Sequence, residues 1–127
     1  MSGVLIDTHI LIWMRGDPPR INEHERRAIR DAKSCFVSIV SFWEIGLLFS
    51  AGRLRPDPKL MVPPAGIKLL PIEPAHCLDL MELPPIHRDP FDRMLISQAR
   101  TDGLTLISRD AAISRYAQTG VVNVLPT

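Results

Sequence analysis

Apolar positions along this chain follow two rhythms that take turns. Val4-Leu5-Ile6 is a short unbroken run ending at Asp7, and from Thr8 onward Ile10, Leu11 and Met14 recur at helical spacing, so a buried strand feeds a helix. Asn22-Glu23-His24-Glu25 opens a polar helix predicted to run through Lys33, after which Cys35-Phe36-Val37-Ser38 reads as a second buried strand. Ile39 to Ser50 predicts another helix, with Phe42, Ile45 and Phe49 at helical spacing and Gly52 as its stop.

Pro56, Pro58, Pro63 and Pro64 argue against a long regular helix between Arg55 and Gly66, where a loop with one short helical turn is expected. Ile67 to Pro71 predicts a third strand. Pro74 opens a helix expected to continue to about Leu83, and Pro84-Pro85 ends it. Pro90 opens a further helix with Leu95, Ile96 and Ala99 on its apolar side, closed by Gly103. Leu104 to Ile107 follows as a strand, Asp110 to Gln118 as a last helix, and Val121 to Val124 as a final strand after Gly120. This alternation with short connections predicts an α/β domain: a mainly parallel sheet with helices on both faces. With no repeat or linker, residues 1–127 are expected to form one domain.

Composition narrows the class. Hydrophobic residues make up 46% of the chain and charged residues 23%, which excludes the low-hydrophobicity disordered class. No apolar run approaches the ~20 residues needed to cross a bilayer, and Met1 to Asp7 carries neither a basic n-region nor a cleavage site, so a cytoplasmic protein is expected. Cys35 and Cys77 lack metal-ligand spacing and are expected to pack as small hydrophobes. The net charge of +1 does not announce a nucleic-acid binder. Carboxylates gathered around cations would, however, leave the remaining surface more basic than that sum, and Arg88, Arg93 and Arg109 stand beside acidic residues.

Four of those acidic residues share a structural address. Asp7 ends the first strand, Asp110 lies just beyond Leu104 to Ile107, Glu44 follows the second strand on its helix, and Asp92 sits near a helix start. Ligands of open parallel sheets bind outside the carboxyl ends of the strands, so these positions can converge on one crevice. Carboxylates brought together repel unless a cation lies between them, and an all-oxygen donor set suits Mg²⁺ or Mn²⁺ and attack on a phosphoester. Taken singly, Asp7, Asp89 or Asp110 is equally an N-cap, and Asp92 a first-turn partner of the helix dipole. Glu44, among Phe42, Trp43, Ile45, Leu47 and Leu48, reads as an inward carboxylate.

Val4-Leu5-Ile6-Asp7-Thr8-His9, Ser41-Phe42-Trp43-Glu44-Ile45, His87-Arg88-Asp89-Pro90-Phe91-Asp92-Arg93 and Leu106-Ile107-Ser108-Arg109-Asp110 together resemble the ordered motifs of PIN-domain nucleases, more narrowly VapC-type toxins of bacterial toxin–antitoxin pairs. The resemblance runs from near residue 4 to near residue 124. It implies a three-layer α/β/α sandwich, a Mg²⁺- or Mn²⁺-dependent endoribonuclease, a VapB-like antitoxin that blocks the site, and a homodimer. Carried over by position, Asp7, Glu44 and Asp92 match the central acidic residues and Asp110 the more variable fourth, as catalytic residues and metal ligands. Asp89 is either a cap or a supporting partner behind the ligands. Ser108 is placed to orient Asp7 or a water, Thr8 to support the ligands or touch substrate, and Arg93 to meet phosphate, an antitoxin carboxylate or a neighbouring acid. His9 and His87 are read as structural hydrogen-bonding groups, and Trp13 and Trp43 as core or subunit-interface residues.

The acidic set favours hydrolysis of an RNA phosphodiester. The same ions would serve a DNA nuclease or phosphatase; an inactive protein-binding module and a phospho-acceptor domain are the remaining readings.

Overall fold

The computed structural model describes residues 3–126. Five strands, β1 (Gly3–Ile6), β2 (Ser34–Ser38), β3 (Lys68–Leu70), β4 (Thr105–Ile107) and β5 (Asn123–Val124), form one sheet in the order β3-β2-β1-β4-β5. Every neighbouring pair is parallel. Six α-helices connect them: α1 (Thr8–Gly16), α2 (Glu23–Asp31), α3 (Ile39–Ser50), α4 (Pro74–Asp79), α5 (Pro90–Asp102) and α6 (Ala111–Gln118).

Alternation along β1 explains the three layers. Val4 and Ile6 join a core with Ile10 and Leu11 of α1, Ala28 of α2 and Ile45 of α3, whereas Leu5 joins a second core with Leu95, Ile96 and Ala99 of α5 and Ile113 and Tyr116 of α6. Successive strand side chains point to opposite faces, so a central strand covered by helices on both sides must be apolar throughout, as Gly3–Ile6 is.

Local signals fix the helix ends. Asn22 and Glu25 form a reciprocal capping box that starts α2. Gly103, at φ 68°, supplies the left-handed turn that ends α5 and delivers the chain into β4. Several boundaries differ from expectation by one residue, as where Lys68–Leu70 replaces Ile67–Pro71 and Thr105–Ile107 replaces Leu104–Ile107, and three differ by more. Helix α2 stops at Asp31 instead of Lys33, and α4 stops at Asp79 before a 3-10 turn over Leu80–Glu82. The final strand is only Asn123–Val124: β4 is three residues long, so it offers little ladder, and Val122 is buried as a loop residue. The turn expected between Arg55 and Gly66 is the 3-10 segment Pro58–Met61. Cys35 is buried, which pushes its thiol up to about 11, but Cys77 is exposed and is not the packed hydrophobe expected. No described helix is long and apolar enough to cross a membrane.

Topology locates a crevice. The chain builds outward from β1 to β2 and β3, then returns to place β4 on the other side of β1. At such a reversal the connections leave in opposite directions, opening a cleft at the carboxyl ends of β1 and β4.

Candidate active site

Asp7 and Asp110 stand at those two strand ends. The Asp7 N–H donates to the Ile107 carbonyl at 3.1 Å, fastening the end of β1 to β4, and its Oδ1 caps α1 by accepting from the Ile10 N–H at 2.9 Å. Asp110 Oδ1 caps α6, accepting from Ala112 and Ile113 at 2.8 and 3.1 Å, while its own N–H donates to Ser108 Oγ at 3.0 Å. Asp89 caps α5 through Phe91 and Asp92. Three helix N-termini thus turn their free N–H groups toward carboxylates, a partial offset to gathering negative charge.

The offset is incomplete. Asp7 is only 4% exposed, and burial raises its pKa; the Ser108 hydroxyl, the Ile10 N–H and the charge of His9 pull it back, while Asp110 pushes it further up. Glu44, half-buried on α3, is also raised by burial; contact with Thr8 opposes this, while the charges of Asp89 and Asp7 add to it. Asp92 is raised to about 6, first by burial and then by the charge of Asp89, with Asp110 and Glu44 contributing and the His87 hydrogen bond opposing. Asp7, Glu44, Asp92 and Asp110 are therefore close enough to repel one another, with Asp89 among them.

They do not all lie at ligand distance. The donor atoms of His87, Asp89 and Asp92 fall within 4.8 Å of one another, and His87 Nε2 is 3.0 Å from Asp92 Oδ2. The His87 imidazole relieves Asp92 locally. Structural hydrogen bonding was the role expected for His87, and its bond is to a candidate catalytic carboxylate. That contact has no sequence signature beyond a five-residue separation.

Neighbours sort into supports and bystanders. Thr8 donates to the buried Ser41 Oγ at 3.0 Å. Ser108, 2% exposed, bridges Asp7 and the Asp110 backbone. Arg93 departs from expectation: its guanidinium is spent on the carbonyls of Leu80, Pro84 and His87 and on the Tyr116 hydroxyl at 2.9 Å. It therefore holds the His87 loop in place and meets neither an acid nor the crevice, because the Pro84-Pro85 turn leaves carbonyls that no helix satisfies. Trp43 is 60% exposed and packs edge-on against Phe91, 5.1 Å between centroids, so it is not a core residue. Glu44 and Asp89 also line a cleft of about 400 Å³ with Leu47, Leu48, Arg53 and Phe91.

An arrangement of hard oxygen donors whose charges raise one another's pKa fits a hard divalent cation. Residues 4–118 match the family model of the PIN domain. Ribonuclease VapC22 of Mycobacterium tuberculosis is 24% identical over 98% of this chain and 99% of its own. Among solved structures, the Rickettsia felis VapBC2 complex, crystallised on a promoter DNA fragment, superposes with a TM-score of 0.72 at 12% identity over 98% of this chain and 97% of its own. VapBC-1 of nontypeable Haemophilus influenzae gives 0.65 at 14% over 98% and 96%, and FitAcB of Neisseria gonorrhoeae 0.64 at 18% over 99% and 97%.

Proposed function

The chain belongs to the PIN-domain family, and from that premise we propose that it is a Mg²⁺- or Mn²⁺-dependent endoribonuclease, the toxin of a toxin–antitoxin pair. The observation that carries the reading is the mutual repulsion of Asp7, Glu44, Asp92 and Asp110 at the β1/β4 switch point, an arrangement that costs stability unless a cation is bound. The similarity to a ribonuclease supports RNA as the polymer over DNA or a phosphomonoester.

Asp7, Asp92 and Glu44 would hold the cation, with Asp110 completing the set or placing a water. A divalent cation bound there supplies Lewis acidity toward a phosphodiester and charge relief for the departing oxygen. Ser108 and Thr8 orient Asp7 and Glu44. His87, with Nε2 3.0 Å from Asp92 Oδ2, would steady that ligand, and one of the carboxylates would accept the proton of the attacking water. Asp89 supports from behind as the α5 cap.

An antitoxin across the crevice is supported by the toxin–antitoxin complexes among the structural relatives. An arginine from such a partner would satisfy the carboxylates as a metal does. A homodimer is supported by Ile39, Trp43 and Leu47, exposed at every fourth position along α3. Purified protein should cleave total cellular RNA with Mg²⁺ or Mn²⁺ and stop with EDTA; cleavage unaffected by chelation would sink the metal reading, and equal turnover of single-stranded DNA would sink the RNA assignment. Light scattering on the isolated toxin tests the dimer.

A further inference from the structure

Outside the carboxylates, the heaviest investment of charge near the crevice joins α2 to the turn after β4. Glu25 is 3% exposed, and Arg109, 84 residues away, donates to both its carboxylate oxygens, with Nε at 2.7 Å from Oε2. The same guanidinium donates to the Arg20 carbonyl and lies 4.7 Å from the centre of the Trp13 ring. Burial alone would raise the Glu25 carboxyl, yet Arg109 and the Asn22 N–H outweigh it and the net direction is down. Every one of these restraints draws Arg109 toward α1 and α2. Its place in the chain draws the other way: it stands between Ser108 and Asp110, and the charge of Asp7 reaches it.

The ion pair is not needed to shape the turn. Asp110 N–H is held by Ser108 Oγ, the Asp110 side chain caps α6, and its carbonyl accepts from the Ser114 N–H at 3.0 Å. What Glu25 adds, beside the Arg20 carbonyl and the Trp13 ring, is the one charged partner that fixes where the guanidinium goes. An arginine released here would be left with the Asp7 carboxylate, whose charge already reaches it, as an anionic partner, and a guanidinium pairs with carboxylates through well-matched, charge-assisted bonds.

We propose that Glu25 is a positioning residue that holds Arg109 against Trp13 and out of the carboxylate crevice, where the same guanidinium would compete with a divalent metal ion. The proposal rests on the crevice being a metal site.

Mn²⁺ binding, followed by electron paramagnetic resonance and calorimetry without substrate, tests it. Glu25→Gln keeps the capping box, since glutamine serves there as glutamate does, but removes the charge that restrains Arg109. Its Mn²⁺ dissociation constant should rise about tenfold, the scale of losing a ligand set to a competing charge-assisted pair. Competition also raises the metal concentration for half-maximal cleavage while leaving the rate at saturating metal near that of the wild type. Adding Arg109→Ala should return the double variant to the affinity of Arg109→Ala alone. An unchanged dissociation constant in Glu25→Gln, or a double variant as weak as Glu25→Gln, overturns the proposal. If Glu25→Gln does not fold, the Arg109 substitutions decide: Arg109→Lys keeps a cation that reaches the crevice with a poorer hold on Glu25, so it should bind Mn²⁺ more weakly than Arg109→Ala, and equal or reversed affinities overturn the idea. Wild type that binds no Mn²⁺ overturns the metal reading itself and this proposal with it, whereas binding by wild type and Glu25→Gln alike overturns this proposal alone.

Discussion

Two clusters of acids sit in this molecule and are treated in opposite ways. At the seam of α4 and α5, Asp79 receives two bonds from Arg100, at 2.9 and 3.2 Å, and Asp102 lies 3.0 Å from His76 Nε2, whose other ring nitrogen accepts from the Glu73 N–H. Each carboxylate has a donor of its own. In the crevice, Asp7, Glu44, Asp92 and Asp110 share three helix N-termini, two hydroxyls and one imidazole, and Asp7, Glu44 and Asp92 have raised pKa values as a result. Arginines stand within a residue of two crevice acids, Arg93 after Asp92 and Arg109 before Asp110, yet Arg93 is turned onto carbonyls and Arg109 onto Glu25. Charge is matched where it holds helices together and left unmatched where the sheet topology opens the crevice.

The sharpest test of that contrast exchanges a charge for its neutral isostere in the crevice. Asp7→Asn and Asp92→Asn should each lower RNA cleavage by more than roughly 100-fold, since even partners behind metal ligands cost up to that much. The fold should survive: asparagine caps a helix as well as aspartate does, and removing a charge that burial already disfavours relieves repulsion. Metal-free melting temperatures equal to or above wild type, beside single-turnover rates, check both halves. Wild-type rates in either folded variant would remove the crevice as the active site.

The converse substitution belongs at the paired seam. Asp79→Ala leaves Arg100 without its partner at a position where the two side chains are only 26% and 17% exposed. It should cost about 1–3 kcal/mol of stability, the range for hydrogen bonds to a charged group, and leave cleavage at temperatures well below the transition unchanged. Denaturant unfolding with the assay run in parallel measures this; a variant that loses activity without stability would erase the distinction between the clusters.

Much of this contrast was visible in the chain and part was not. The strands carried their own mark in Val4-Leu5-Ile6 and Cys35-Phe36-Val37, and the helix ends in Pro74, Pro90, Gly103 and the capping aspartates, because these are local effects of sterics and backbone donors. Asp7 and Asp110 were legible because a parallel sheet brings strand ends together whatever the packing. Val121-Val122 misled, since an apolar pair packs equally well in a strand or in a covered loop. The Glu25–Arg109 pair, the turning of Arg93 onto carbonyls and the His87–Asp92 bond were beyond reach, since they depend on how α2, α5 and α6 dock on the sheet.

Smaller in size, but specific to one group, is the pH dependence of the metal-free protein. Asp92 has a folded pKa of about 6 against an ordinary 3.8, so between those values the native state binds more protons than the unfolded one. Stability from this group therefore falls as pH rises through about 6, and the penalty is fully present above it. In EDTA, the wild type should lose stability between about pH 4 and 6 relative to Asp92→Asn, which lacks this titrating group. Parallel curves for the two proteins would mean that Asp92 is not the strained group.

Asp89 gives the mildest expected effect and separates the two roles that one carboxylate plays. Its Oδ1 accepts from the Phe91 N–H at 2.9 Å and the Asp92 N–H at 3.4 Å, and asparagine presents the same acceptor, so Asp89→Asn should keep α5 and the melting temperature. Its charge is the largest contribution after burial to the raised pKa of Asp92, so the same change should bring the Asp92 titration down and shift the acid limb of any pH–rate profile to lower pH. Cleavage should stay within about tenfold of wild type, the lower end for a partner behind a metal ligand. Asp89→Ala adds the loss of the cap, costing about 1 kcal/mol, without further change in the Asp92 titration. A hundredfold loss in Asp89→Asn with the helix intact would instead make Asp89 a metal ligand alongside His87 and Asp92, moving the centre of the site from the strand ends onto the start of α5.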